Sequence, residues 1–131
     1  MPKYFIHQYL LKLLFVVFLI FIGLISKSNL FPQNGFISNY AGGIIYVVFF
    51  IVLSSLFFTE TSPIKISVIV LVITSLIEFT QLIQNEVLIG IRDIKLIRAL
   101  IGSTFNPFDF LFYLFGMIIG CSVLMILKSK K

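Results

Sequence analysis

The sequence predicts an all-α polytopic membrane protein with four transmembrane helices. Hydrophobic residues make up 60% of the chain and charged residues 11%, whereas soluble domains have roughly 45–50% apolar and about 25% charged residues. The mean hydropathy is +1.14. Four apolar runs approach the length of about 20 residues that a helix needs to cross a bilayer. We expect residues 1–131 to form one integral membrane domain, so that any activity lies within the membrane or in the short loops.

The four predicted spans are residues 9–25, 40–58, 64–83 and 108–127. The first could instead be a signal peptide. Lys3 lies before a short apolar region, Lys12 lies near its start, and the residues after it loosely resemble a cleavage site. This run lacks an A-x-A pattern and is rather long, which favours an uncleaved helix.

Residues 86–107, between the third and fourth spans, are too apolar for a freely solvated loop. Their charged residues do not fall on one helical face, so a simple amphipathic helix fits only in part. We expect either an interfacial helix or a re-entrant segment whose backbone groups are buried in protein or face water. Both alternatives bring the arginines of this segment within reach of the carboxylates at the same membrane face.

Four spans put both termini on one side of the membrane. The basic residues near the span ends on that side are Lys3, Lys12, Lys65, Lys128, Lys130 and Lys131. Those on the other side are Lys27, Arg92, Lys95 and Arg98. The positive-inside rule therefore favours cytoplasmic termini, and we predict a multi-pass protein of the bacterial cytoplasmic (inner) membrane.

Polar residues concentrate at the opposite face. Glu78 and Gln81 lie one helical turn apart near the end of the third span, while Asp109 and Tyr113 lie one turn apart at the start of the fourth. The predicted polar cluster consists of Glu78, Gln81, Arg92, Arg98, Asp109 and Tyr113.

Each member of this cluster also has a structural interpretation. An ionisable residue in a span costs roughly 2.5–3.5 kcal/mol on insertion scales and usually faces a partner, so Glu78 either serves a function or only holds helices together with Gln81. Asp109 could be a helix-start residue favoured by the dipole. Arg92 and Arg98 either anchor to headgroups, pair with Glu78 or Asp109, or bind a phosphate bidentately.

Two glycine pairs are predicted to serve helix packing. Gly116 and Gly120 form a GxxxG pattern, which lets another helix approach closely. The partner is either a helix of the same chain or a second copy in a homodimer. Gly42 and Gly43 lie at the start of the second span, where their lack of side chains is expected to leave room for a neighbouring helix.

Several classes of protein are excluded by what the sequence lacks. No GxxxxGK[ST], GxGxxG, HExxH or GxSxG string occurs, which removes the common nucleotide-binding, zinc-protease and hydrolase interpretations. With one cysteine, Cys121, and one histidine, His7, we predict no metal and no cofactor. The basic C-terminal tail is typical of an anchor to anionic lipid, so we predict membrane lipids as partners and no nucleic acid.

Four segments in order resemble a known family. They are YAGG (40–43), IEFTQL (77–82), IR (91–92) and LIGSTFNPFDFLFYLFG (100–116). Together they resemble DUF2809, a family of small bacterial membrane proteins of unknown function that itself looks related to the VanZ-like proteins. The resemblance implies these shared positions: Glu78, Gln81, Arg92, Gly102, Phe105, Asp109, Tyr113 and Gly116. It also implies an acidic residue in the second span, where this chain has Gly43.

The resemblance implies a cellular location but no particular reaction, because VanZ-like proteins are associated with teicoplanin resistance and the cell envelope. We therefore expect an envelope-associated protein whose polar cluster binds or modifies a lipid or lipid-linked headgroup. One alternative is a small proton-coupled transporter acting as a dimer, since a carboxylate in a span can exchange protons. Another is a structural or assembly subunit without a ligand. Whether the protein is an enzyme is left open, because no nucleophile and base are paired in the sequence.

Overall fold

The computed structural model describes residues 2–30, 32, 34–101 and 105–129. Its regular elements are all helical, as predicted. They are α1 (Lys3–Ser26), a π-helical turn (Ile37–Ala41), α2 (Gly42–Phe57), α3 (Pro63–Thr80), α4 (Glu86–Arg92), α5 (Lys95–Ile101) and α6 (Phe108–Ser129).

Three of these helices, α1, α3 and α6, are long and apolar enough to cross a membrane, and α2 is a shorter apolar helix of 16 residues. A polytopic membrane protein is therefore supported. The first predicted span differs most in its bounds, because α1 begins at Lys3 rather than at residue 9. The second span is entered through a π-helical turn from Ile37 to Ala41, and α2 begins at Gly42. The third span also ends earlier than predicted, at Thr80.

The shorter helix α2 forms the centre of the bundle. It packs against α1, α3 and α6, and Val47, Ile51 and Val52 on it are completely buried. The outer faces of the long helices remain apolar, as at Phe21 on α1 and Leu76 on α3, which are 61% and 58% exposed. Apolar residues therefore lie both inside the bundle and on its outer surface, which suits a chain surrounded by lipid.

The GxxxG face of α6 packs against α2 of the same chain. A Cβ atom at Gly116 would lie 2.9 Å from Cβ of Val47, and one at Gly120 would lie 2.7 Å from Cδ1 of Ile51. The intramolecular alternative therefore accounts for this face. Homodimerisation through Gly116 and Gly120 stays a prediction, and a second copy could use this face only by displacing α2.

Contacts near the chain ends define one end of the bundle. Nε2 of Gln8 on α1 donates to the carbonyl of Leu127 on α6 at 2.7 Å. Nζ of Lys12 donates to the carbonyl of Ser55 on α2 at 3.3 Å. The beginning of α1 thus lies beside the end of α6, while the end of α3 and the start of α6 lie at the opposite end. Lys130 and Lys131 lie outside the described residues.

The segment between the third and fourth spans forms two short helices, α4 and α5, which contact each other. Asn85 begins α4, because its Oδ1 accepts from the backbone N–H of Val87 at 3.0 Å. Apolar side chains of this segment are exposed, with Val87 at 68% and Leu96 at 70%. A break between two short helices explains why the charges did not fit one helical face.

Candidate functional site

The centre of the site is Glu78, which lies in the last turn of α3 and is 1% exposed. It ends a buried stripe on that helix, spaced by four residues: Ile66, Val70, Thr74 and Glu78. Residues four apart lie on one face of a helix, so the packing of this face against the bundle carries a carboxylate into the interior. Because α3 ends at Thr80, Glu78 lies closer to the helix end than the predicted span suggests.

In the part of the chain that the structure describes, three hydrogen-bond donors surround the Glu78 carboxylate. The Tyr113 hydroxyl donates to Oε2 at 2.8 Å, and Nε2 of Gln81 donates to the same oxygen at 3.2 Å. The backbone N–H of Asn106 donates to Oε1 at 3.1 Å. Two of these donors come from α6 and the residues before it, so the carboxylate ties the end of α3 to the start of α6.

Asn106 is a further contact of Glu78 that the sequence prediction missed. Its side-chain Oδ1 accepts from the N–H of Phe108 at 3.1 Å, and its carbonyl accepts from the N–H of Asp109 at 3.0 Å. Asn106 thereby caps α6 while its own N–H binds Glu78. The available signal was an asparagine followed by proline just before an apolar run, which is typical of a helix start.

Asp109 extends the cluster toward the surface. It is partly exposed in the first turn of α6, and its carboxyl group lies within electrostatic range of Glu78 and of Lys27. The cluster therefore runs from a buried carboxyl group to a partly exposed one.

The two arginines are not where the sequence predicted them. Arg92 is 6% exposed, and its guanidinium donates to the carbonyls of Thr80 and Ile83 at the end of α3, in the latter case at 3.3 Å. Arg98 instead forms an exposed ion pair with Asp93 at 2.8 Å. Of the alternatives for these arginines, ion pairing with Glu78 or Asp109 is therefore not the one that the described residues show. Helix carbonyls left without intrahelical partners compete well for a guanidinium.

Arg92 is expected to stabilise the joint between α3 and α4. Changing Arg92→Gln should lower the free energy of unfolding by about 1.5–3 kcal/mol, because hydrogen bonds from a charged group to buried carbonyls would be lost. The matched change Arg98→Gln should alter it by less than about 1 kcal/mol, since its ion pair is exposed. Unfolding by SDS from mixed micelles measures both. Equal losses for the two variants would contradict the capping role of Arg92.

The start of α2 closes the other side of the cluster. A Cβ atom at Gly43 would lie 3.3 Å from Cε1 of Tyr113, and one at Gly42 would lie 3.3 Å from Cε of Lys27. Tyr46, one turn further along α2, lies within electrostatic range of Glu78. The acidic residue that the family resemblance implied at position 43 would thus begin against the ring of Tyr113. In this chain a glycine leaves that space to the tyrosine.

The site contains Glu78, Gln81, Asp109 and Tyr113 of the predicted cluster, together with the backbone of Asn106, and these residues are called the Glu78 cluster below. Arg92 and Arg98 lie outside it. Its chemistry is that of hydrogen-bond acceptors rather than of cations. Among the described residues, no group of three His, Cys, Asp or Glu side chains is placed to hold a metal ion. The implied shared position Gly102 lies outside the described residues.

A model of a known protein family matches most of the chain. Residues 32–117 match the family model described as protein of unknown function, DUF2809. This match covers more than half of the 131 residues. The chain belongs to the DUF2809 family. The DUF2809 match includes α2 and α3, the α4–α5 segment and every residue of the Glu78 cluster. No curated protein and no solved structure matches the chain.

Proposed function

We propose that this DUF2809 protein crosses the bacterial cytoplasmic membrane four times and binds a lipid or lipid-linked headgroup through the Glu78 cluster. The observation that carries this proposal is that Glu78, which is 1% exposed, accepts from Tyr113 at 2.8 Å, one helical turn from the partly exposed Asp109. A polar path therefore leads from the surface of the bundle to its interior. At the end of a membrane-spanning helix, the polar groups that the membrane itself supplies are lipid headgroups.

The composition of the cluster favours a particular part of a headgroup. Carboxyl groups accept hydrogen bonds and attract cations, and the arginines suited to phosphate lie elsewhere. The cluster is therefore suited to a headgroup that carries hydroxyl or ammonium donors. Such donors would occupy the acceptor capacity of Asp109, while Tyr113 and Asn106 hold Glu78 in place.

The proposed four spans require α2 to cross the membrane as well. Its 16 residues continue from a π-helical turn of five residues, and a helical segment of that combined length reaches about 30 Å. The hydrocarbon core of a bilayer is about 30 Å thick. The proposed relation to VanZ-like proteins, with a place in the cell envelope, is consistent with this arrangement but rests on the sequence resemblance alone.

Cysteine labelling tests the proposed orientation. In a Cys121→Ser background, Asn34→Cys should react with a membrane-impermeant maleimide added outside the cell, because residue 34 lies at the Glu78 end of the bundle. Glu60→Cys, at the other end, should react only after the membrane is opened. The reverse pattern would place the termini outside.

A titration with lipids of different headgroups tests the binding proposal. The purified protein in detergent is titrated with phosphatidylethanolamine, phosphatidylglycerol and phosphatidic acid, and bound lipid is counted by native mass spectrometry. Wild type should prefer the first two, whose headgroups carry ammonium or hydroxyl donors. Asp109→Asn and Glu78→Gln should reduce that preference, whereas Glu60→Gln, an exposed acid at the opposite end, should keep it.

The competing function is a structural one, in which the cluster only joins α3 to α6. It is favoured by the donors from Asn106 and Tyr113, which join Glu78 on α3 to the start of α6. Unfolding of the same variants distinguishes the two. A loss of stability in Asp109→Asn and Glu78→Gln with an unchanged lipid preference would support the structural role and overturn the binding proposal.

A further inference from the structure

A second feature at the Glu78 end is a groove between α1, α2 and α5. It is open rather than enclosed and has a volume of about 670 Å³. Its walls are mainly apolar and include Leu19 and Leu24 of α1 with Ile45 and Phe49 of α2. A volume of this size is within the range of roughly 300–1,000 Å³ that is typical of small-molecule sites.

Three cations line this groove: Lys27 after α1, and Lys95 and Arg98 on α5. Lys27 and Lys95 are exposed, and the side chain of Arg98 is 54% exposed. Arg98 uses Nε and Nη2 to contact the Arg92 carbonyl and Asp93, which leaves Nη1 as a further donor. Asp93 pairs with Arg98 and Asp109 lies within electrostatic range of Lys27, so two carboxylates stand against three cations and an excess of positive charge remains.

We propose that this groove binds a phospholipid, with the phosphate on Lys27, Lys95 and Arg98 and an acyl chain along the α1–α2 walls. The cations suit a phosphate, because lysine and arginine are the side chains that bind it in proteins. The apolar walls give no contact to a free anion, whereas they complement an acyl chain. A phosphate joined to a hydrocarbon chain therefore matches both halves of the groove.

The groove adjoins the Glu78 cluster through Lys27, which lies within electrostatic range of Asp109. A lipid whose phosphate binds Lys27 would have its headgroup donors close to that carboxyl group. The inference thus deepens the proposed function by naming the ligand class as a phosphate-bearing lipid. It depends on other side chains, so the two proposals can fail separately.

The test compares phosphatidylglycerol with diacylglycerol, which lacks the phosphate, using native mass spectrometry of the intact protein in detergent. Changing Lys95→Gln together with Arg98→Gln should weaken phosphatidylglycerol binding by roughly tenfold or more, since two basic contacts are lost. Diacylglycerol should bind more weakly than phosphatidylglycerol, and its binding should be the same in the double variant as in wild type. The matched control is Lys65→Gln with Lys128→Gln, two exposed lysines at the other end of the bundle.

A second variant tests the acyl part of the site. Gly23 lines the groove, and a Cβ there would lie 3.7 Å from Cγ2 of Ile45, an ordinary contact. Gly23→Leu should therefore fold, fill part of the groove and weaken phosphatidylglycerol binding, whereas Gly90→Leu, where a Cβ meets nothing within 4 Å, should not.

Two results would overturn the inference. One is unchanged phosphatidylglycerol binding in the Lys95 and Arg98 double variant. The other is displacement of phosphatidylglycerol by inorganic phosphate combined with unchanged binding in Gly23→Leu, which would identify an anion site without a lipid chain. If instead only the headgroup preference is lost in Asp109→Asn while phosphatidic acid still binds, the groove stands and the Glu78 cluster acts separately on the headgroup.

Discussion

Replacing Gly116 with alanine is expected to lower the free energy of unfolding by about 1–3 kcal/mol, the cost of overpacking a close contact. A Cβ at this position would lie 2.9 Å from Cβ of Val47 and 3.0 Å from the backbone carbonyl oxygen of Ile44. Neither atom is the end of a flexible side chain, so α6 and α2 would have to move apart. SDS unfolding in mixed micelles measures the change.

Two comparisons separate this packing effect from the general effect of removing a glycine. Gly90→Ala in α4 should leave stability unchanged or raise it by up to about 1 kcal/mol, because alanine is the better helix former and nothing lies within 4 Å of its Cβ. Gly120→Ala should be harmful but partly rescued by Ile51→Val, which removes the Cδ1 atom that the new Cβ would meet at 2.7 Å. A harmless Gly116→Ala would mean that α6 does not pack this closely.

The contrast between these glycines shows what the sequence can predict in such a chain. Because the spans are apolar on all sides, their periodicity does not reveal which faces pack, and burial cannot be assigned from composition. The exceptions are the positions that break the apolar pattern. Gly116 and Gly120 predicted a close helix contact, but two partners were possible, and only the structure shows that α2 fills the groove.

The same limit applies to the polar cluster. Glu78, Gln81, Asp109 and Tyr113 were predictable as a group, since their spacing puts them on single faces of two neighbouring spans. Arg92 and Arg98 were not, because their positions depend on where α3 ends and on the break between α4 and α5. Once α3 ends at Thr80, the carbonyls of Thr80 and Ile83 lie within reach of Arg92. The sequence names the residue but leaves its acceptor undecided.

Replacing Glu78 with leucine is expected to have the larger effect of the two main predictions, about 2–5 kcal/mol. Leucine has nearly the same size, but the Tyr113 hydroxyl, the Gln81 amide and the Asn106 N–H would lose their shared acceptor. Each buried donor left without a partner costs about 1–3 kcal/mol, although interhelical hydrogen bonds in membrane proteins average only about 0.6 kcal/mol. Applied to the three donors, the first figure gives a larger total loss of stability than the second, and the expected value lies between the two totals.

The control for this prediction is Thr74→Val, one turn earlier on the same buried face of α3. Its hydroxyl donates to the carbonyls of Val70 and Leu71 within its own helix, so its loss should cost less than about 1 kcal/mol. Glu78→Gln should fall between the two, because the amide keeps one acceptor oxygen while Gln81 and Tyr113 can reorient around it. If Glu78→Leu instead raised stability, the buried carboxylate would destabilise the folded protein. That result would favour a role of Glu78 in binding over a role in holding α3 to α6.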